Sequence, residues 1–150
     1  MIRDGSSNRL HGDALTPSAL ILERVAAFQE GDFPFIYASY HPDAPFLQVF
    51  PQQQEYLDYA ARELAGNFAI LACSILAQRA PSADETQVLL VLESLVRGER
   101  QTSLELARVQ RTPQGWRFHS ATRRPLESGQ EAVREPGFEL FEPLDEEPFF

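Results

Sequence analysis

The segment from residue 84 to residue 122 constrains the fold more than any other part of this sequence. It contains three β-rich runs, residues 86–97, 101–111 and 116–122, separated by Gly98-Glu99-Arg100 and by Thr112-Pro113-Gln114-Gly115. Short breaks that contain glycine or proline are typical of hairpin connections. The segment therefore predicts an antiparallel meander, in which each strand pairs with the next one along the chain.

A fourth strand is predicted immediately upstream of the meander. The run from residue 68 to residue 79, FAILACSILAQR, is apolar on both alternating faces, which fits either a fully buried strand or a helix. Gly66-Asn67 before the run favours the start of a new secondary-structure element, and Pro81-Ser82 after it marks a turn. We therefore predict a strand here.

Three helices are predicted before the strands. Thr16 suits an N-cap, Pro17 suits the first helical position, and Gly31 suits a helix end. The apolar positions between them share one face of a helix: Ile21, Val25 and Phe28. The first helix is therefore amphipathic.

The second helix is predicted to begin at Asp32, which can cap it, and to end at His41-Pro42, because the residue before proline resists the α conformation. Residues 42–50 are predicted to form a loop, and the third helix is expected from residue 51 to residue 65. Helices segregated to one side of an antiparallel sheet define the α+β class. We expect a domain over residues 16–124, a flexible leader over residues 1–15 and a tail over residues 125–150.

The charge of the chain is unevenly distributed. Residues 1–124 hold 12 arginines and 14 acidic residues, whereas residues 125–150 hold one arginine and 8 acidic residues. A nearly neutral body with an acidic tail is a poor electrostatic match for nucleic acid or for an anionic membrane. We expect neither as a partner.

The residue types that are absent exclude several chemistries. The chain has no lysine, which rules out a Schiff-base lysine and a P-loop lysine, and its single cysteine, Cys73, cannot form an internal disulfide. No long apolar stretch indicates a secretion signal or a membrane span. We expect a cytoplasmic protein in which Cys73 is a structural, buried thiol.

The order of these elements, with two short motifs, resembles a nuclear transport factor 2-like domain, which has the cystatin-like cone fold. The motifs are FIYASYHP, which ends in Tyr40-His41-Pro42, and GWRFHSA, which opens the last strand with Gly115-Trp116. Within that superfamily the chain is similar to bacterial YchJ-like domains, which often accompany SEC-C zinc motifs. One cysteine cannot build the SEC-C module, so no metal site or cofactor is expected.

The resemblance implies a curved sheet wrapped around the first helix, which leaves a cone with one open mouth. In some relatives the cone holds a hydrophobic small molecule or performs acid/base chemistry on it. In others the cone is filled and the domain only binds partners. The resemblance also implies a homodimer through the outer face of the sheet.

Several aromatic and polar side chains could reach the interior of such a cone. Ligand contacts are expected from five aromatic side chains: Tyr37, Tyr40, Tyr56, Trp116 and Phe118. His41, Asp43 and Arg108 are the candidates for catalysis. Strand alternation places Trp116, Phe118, Ser120 and Thr122 on one face, and it places Arg108 beyond Leu104 and Leu106, toward a possible mouth. Each candidate also has a purely structural interpretation, as a packing, capping or snorkelling side chain.

The acidic tail combines its charge with spaced aromatic residues: Phe138, Phe141, Phe149 and Phe150. One interpretation is a solubilising tail. The other is that its phenylalanines cover the sheet, the cone mouth or a partner subunit. For the whole chain we predict a non-catalytic domain that binds a small ligand or mediates protein assembly. The alternative is a small-molecule hydratase, isomerase or hydrolase.

Overall fold

The computed structural model describes residue 10, residues 15–126 and residues 138–141. The predicted leader lies outside these residues except at positions 10 and 15, and residues 127–137 and 142–150 of the tail also lie outside them. Within the described part, helices come first and a four-stranded antiparallel sheet follows. The predicted α+β class is therefore confirmed.

The first two helices begin and end where local sequence signals place them, with one exception. Helix α1 spans Pro17–Glu30, the Thr16 hydroxyl accepts a hydrogen bond from the Ala19 N–H at 3.2 Å, and Gly31 ends the helix at φ 75°. Helix α2 spans Phe33–Ala38 and is capped by Asp32. It ends earlier than predicted, because Tyr40 forms a bridge to the last strand.

The predicted count of three helices is wrong for residues 15–126, which contain four. Helix α3, Phe46–Val49, is a single turn within the predicted loop, and α4 spans Gln53–Tyr59. The ring of Phe46 stacks on Tyr40 with centroids 3.9 Å apart, which explains why this turn is held against the core. After α4 the chain forms a π-helical turn, Ala60–Leu64, before Gly66 at φ 82°. None of the helices in the described ranges has the length and apolar character needed to cross a bilayer.

The sheet is the predicted meander. Its strands are β1 (Phe68–Ser82), β2 (Glu85–Val96), β3 (Glu99–Thr112) and β4 (Gly115–Leu126), in the spatial order β1-β2-β3-β4. The strand predicted at residues 68–79 is confirmed, although it continues through Pro81-Ser82, where a turn was expected. Arg97 and Gly98 join β2 to β3 with φ values of 51° and 85°, the signature of a two-residue type I′ turn.

Each face of the sheet has its own apolar cluster. The inner face packs against the helices and contributes Val88, Leu90, Leu92, Ala107, Val109, Phe118 and Ala121 to the main core. The outer face contributes Leu89, Leu104 and Leu106 to a second cluster. That cluster is closed by Phe141, which lies in a 3-10 helix, Phe138–Phe141. The described C-terminal segment, residues 138–141, therefore packs on the outer face of the sheet.

A β-bulge in β4 overturns the predicted faces of that strand. Arg108 pairs with Ser120 and Val109 pairs with Phe118, so His119 is an extra residue between them. Because a bulge shifts the alternation by one position, Phe118 and Ala121 both face the core. Ser120 and Thr122, which were predicted to share the face of Phe118, lie opposite Arg108 and Leu106 on the outer side.

Candidate functional site

A small cavity lies between α1 and the inner face of the sheet. Its volume is about 50 Å³, and it is partly open to solvent. Eight apolar side chains line it: Ile21, Val25, Phe28, Phe68, Ile70, Leu90, Leu92 and Phe118. Three charged side chains complete the lining: Arg24, Glu105 and Arg123. An apolar wall with a few polar groups is the usual composition of a small-molecule site.

Arg24 is the most unusual of these residues, because it occupies a core position on α1. Leu20, Arg24 and Ala27 follow one another at the i, i+4, i+7 spacing of a buried helix face, and all three are buried. The side chain of an arginine at such a position must enter the interior. Only 6% of Arg24 is exposed.

The partners of Arg24 are neutral. Its guanidinium carbon lies 3.9 Å from the ring centroid of Phe118 and 4.7 Å from that of Tyr40. Its Nη1 group donates a hydrogen bond to the Ser39 hydroxyl, and Nη2 donates to the Tyr40 hydroxyl at 3.4 Å. Cation–π contacts and hydrogen bonds stabilise the buried charge, but they do not neutralise it.

Glu105 and Arg123 face each other across β3 and β4 on the inner side of the sheet. The Glu105 carboxylate accepts two hydrogen bonds from Arg123, at 3.0 Å from Nε and 2.9 Å from Nη2. Both charges sit on the wall of the same cavity as Arg24. The charge of Glu105 is therefore already balanced by Arg123.

The five residues predicted to contact a ligand divide into two groups. Phe118 lines the cavity, and Tyr40 lies behind it as a partner of Arg24. Tyr37, Tyr56 and Trp116 do not line it. The Tyr37 hydroxyl donates to the Phe50 carbonyl at 2.9 Å, and Trp116 stacks under Arg111 at 4.4 Å.

Tyr56 lies on α4 and is fully buried in an aromatic cluster. Its ring centroid lies 5.0 Å from that of Phe46 and 5.5 Å from that of Phe50. Its hydroxyl has no hydrogen-bond partner among the described residues, and burial raises its pKa far above the usual range of a tyrosine. This tyrosine contributes packing to the core.

The candidate catalytic pair His41 and Asp43 lies outside the cavity. The His41 Nδ1 atom accepts a hydrogen bond from the backbone N–H of Asp43 at 3.0 Å, which is a local turn contact. The imidazole of His41 meets that of His119, with ring centroids 5.9 Å apart, and His119 is bound to the Ser120 hydroxyl at 2.8 Å. The bulge in β4 thus brings two histidines together beside the cone.

Arg108 is not at the cone mouth, and that prediction is wrong. Its neighbours Leu104 and Leu106 belong to the outer cluster, because the inner face of β3 is formed by the alternate positions, which include Glu105 and Ala107. The guanidinium of Arg108 instead contacts the Glu85 carboxylate at 2.9 Å on the outer face. Arg108 is therefore a structural ion-pair partner.

Cys73 lies on β1 as a half-buried free thiol. Burial and the nearby Glu105 charge raise the pKa of the thiol to about 11, so it is protonated at neutral pH. Within residues 15–126 and 138–141, no group of three or more histidine, cysteine or acidic side chains is arranged to hold a metal ion.

The sequence did contain one signal for the charged residues that were missed. Arg24 lies three positions after Ile21 and four positions before Phe28, inside the predicted apolar face of α1. An arginine on such a face is a candidate for an interior charge. Glu105 and Arg123 had no comparable signal, because their shared face depends on the register of β3 with β4 and on the bulge at His119.

Comparisons with known proteins agree with this fold. Residues 16–121 match the family model described as YchJ, middle NTF2-like domain. No curated protein matches the sequence. Three solved structures illustrate the similarity of fold.

The first is the SEC-C motif containing protein RPA3114 from Rhodopseudomonas palustris, with 17% identity, TM-score 0.57, and 72% of this chain and 78% of that chain covered. The second is a ketosteroid isomerase-like protein from Erwinia carotovora, with 16% identity and TM-score 0.56. The alignment covers 74% of this chain and 94% of that chain. The third is a putative calcium/calmodulin-dependent protein kinase type II association domain from Thiobacillus denitrificans, with 18% identity and TM-score 0.57. The alignment covers 78% of this chain and 100% of that chain.

Identities this low establish a shared fold, and they do not carry an activity from those proteins to this one. The family model is the stronger finding, because it spans most of the helical region and nearly all of the sheet. This match over residues 16–121 shows that the chain belongs to the family of the YchJ middle NTF2-like domain.

Proposed function

We propose that this domain binds a small, largely apolar molecule in the cavity between α1 and the sheet. The observation that carries the proposal is a mainly apolar cleft whose lining includes a buried arginine, Arg24. Well-packed cores rarely leave space of this kind, and convergent polar groups in an apolar pocket are typical of ligand sites.

The size of the cavity limits what can enter. Its volume of about 50 Å³ is well below the roughly 150 Å³ of an engineered cavity that holds benzene. Only a few heavy atoms of a ligand fit inside, and the remainder would occupy the part that is open to solvent. A compact branched or aromatic group meets this requirement better than a long chain.

The contacts of the charged residues favour binding over catalysis. Glu105 is the only carboxylate in the described lining of the cavity, and it is held by two hydrogen bonds from Arg123. The predicted candidates His41, Asp43 and Arg108 lie elsewhere. General acid–base catalysis needs a proton-transfer group within reach of the bound molecule. The hydratase, isomerase or hydrolase alternative therefore has less support.

A thermal-shift screen tests the proposal, with 3-methylbutanol, isovaleramide, isovalerate, benzamide and benzoate as probes. We expect at least one of them to raise the melting temperature in a concentration-dependent way. The Val25→Trp variant, which fills the cavity from α1, should abolish the shift. The Leu22→Trp variant is the matched control, because Leu22 lies on the same helix but is 49% exposed and outside the lining. Equal shifts in both variants, or no shift with any probe, would contradict the proposal.

Protein assembly is the second candidate, and one observation favours it. The outer face of the sheet carries the apolar side chains Leu89, Leu104 and Leu106, and the edge strand β1 exposes Leu71 and Leu76 at 39% and 38%. Large apolar patches on a sheet are common at interfaces between subunits. We propose that a homodimer uses this outer face, where it must compete with Phe138 and Phe141. Sedimentation velocity over a range of concentrations measures the oligomeric state.

A further inference from the structure

We infer that the ligand of the cavity is a carboxylate, which Arg24 binds through its guanidinium group. This inference rests on the proposed function, and it names the chemical class of the molecule. Its basis is a buried charge whose partners within the described part of the chain are all neutral.

Two partly buried arginines of this protein are each paired with a carboxylate. Glu105 is paired with Arg123 and Glu85 with Arg108, each at 2.9 Å between a guanidinium nitrogen and a carboxylate oxygen. Arg24 is more deeply buried than either arginine, yet no ion pair of the described residues includes it. An isolated buried charge is costly unless it gains a counter-charge. A ligand that brings a negative charge would supply it.

The geometry around Arg24 leaves donors for such a ligand. A guanidinium carries five N–H groups, and the hydroxyls of Ser39 and Tyr40 accept one hydrogen bond each. The rings of Phe118 and Tyr40 contact its face, so the remaining N–H groups point along its edge. The edge of a guanidinium binds a carboxylate in a bidentate manner.

The rest of the lining selects against other charged ligands. A cationic ligand would be repelled by the charge of Arg24, and the charge of Glu105 is already balanced by Arg123, which donates two hydrogen bonds to its Oε1 atom. Phosphate would have to place several charged oxygens against a mainly apolar wall that includes Ile21, Leu90 and Leu92 and near the Glu105 carboxylate. A monocarboxylate with a compact hydrocarbon group matches both the apolar surface and the guanidinium of Arg24, since the other arginine of the lining, Arg123, is already paired with Glu105.

Matched probes that differ only in their head group test this inference on the full chain. Isovalerate is compared with isovaleramide and 3-methylbutanol by titration calorimetry, and inorganic phosphate is a separate arm. We expect the dissociation constant of isovalerate to be lower than that of isovaleramide by at least about tenfold. Addition of isovalerate should also shift the Arg24 Nε–Hε signal in an NMR spectrum, which requires no variant.

Two variants test whether Arg24 is the source of the preference for the carboxylate over the amide. Arg24→Met should bind isovalerate and isovaleramide within about threefold of each other, whereas Arg62→Met, at an exposed arginine, should keep the preference of the wild-type chain. If isovalerate and its neutral analogues bind the wild-type chain equally well, or if phosphate binds more tightly, the carboxylate inference is overturned while the cavity remains a ligand site. If no probe binds in any arm, the proposed function fails together with the inference.

Discussion

The guanidinium carbon of Arg79 lies 4.3 Å from the ring centroid of Phe138, and this contact joins the edge strand β1 to the segment that follows β4. A second arginine, Arg124, lies 5.7 Å from the ring centroid of Phe141. Phe141 is fully buried against Leu89, Leu104 and Leu106. Residues 138–141 are thus packed against the sheet.

The burial of Phe141 leads to the first prediction. Phe141→Ala should lower the free energy of unfolding by about 3 kcal/mol, because the substitution removes a large buried ring and leaves a space above three leucines. Urea denaturation followed by circular dichroism measures this change. Val49→Ala, at a side chain that is 51% exposed, should stay within about 0.5 kcal/mol of wild type. A similarly small effect at Phe141 would show that the segment is not packed as described.

The second prediction concerns the outer face once its cover is removed. A variant that ends at residue 126 lacks Phe138 and Phe141 and should expose the leucines of the outer cluster. Exposed apolar patches of this kind favour association. We expect sedimentation velocity to show more dimer for this variant than for the full chain at the same concentration.

A further substitution provides the control for that experiment. Leu104→Glu in the shortened chain places a charge in the centre of the exposed patch and should return it to monomer. If the full chain dimerises as strongly as the shortened one, the C-terminal segment does not compete for this face.

The third prediction uses two tyrosines of the same aromatic cluster. Tyr56→Phe should leave the free energy of unfolding unchanged or raise it by up to about 1 kcal/mol, because the buried hydroxyl has no partner among the described residues. Tyr37→Phe should lower it by about 1 kcal/mol, because the hydrogen bond to the Phe50 carbonyl is lost. Urea denaturation of both variants checks the pair. A clear loss of stability in Tyr56→Phe would reveal a partner for its hydroxyl.

The fourth prediction concerns acid stability and Glu85. Burial raises the pKa of this carboxyl, but hydrogen bonds from Arg108, Gln87 and Gln110 outweigh that effect, and the net pKa is lowered from 4.5. A carboxyl whose pKa is lower in the folded state stabilises the fold above its unfolded pKa. That contribution is lost as the pH falls through the folded value.

The Glu85→Gln variant should therefore be less stable than wild type at pH 7, by about 1 kcal/mol, and the difference should shrink as the pH falls below about 4.5. Thermal unfolding between pH 7 and pH 3 measures it. Glu63→Gln is the control, because Glu63 is exposed and its contact with Arg97 is 3.8 Å long. A stability difference that does not change with pH would rule out the charged Glu85 as its origin.

Local chemistry in the sequence was sufficient to predict the element order. The cap at Thr16 and the αL glycine at position 31 depend on a few neighbouring residues, and both occur where they were expected. The first hairpin turn was expected at Gly98-Glu99-Arg100, but it lies one residue earlier, at Arg97-Gly98. The alternation of apolar residues in the three β-rich runs led to the meander. Such signals can be recognised in a sequence because a cap or a tight turn is stabilised by residues that are close to one another in the chain.

Tertiary structure alone decided the site. The single turn at α3 depends on the stacking of Phe46 on Tyr40, and the bulge at His119 changes which residues of β4 face the cone. Arg24 could be placed on the inner face of α1 from its spacing, but its lack of a counter-charge depends on Ser39 and Tyr40, which follow α2, and on side chains from β3 and β4. Packing between elements that are distant in sequence determines which charges meet. A shift of one residue in strand register moves a side chain to the opposite face of the sheet.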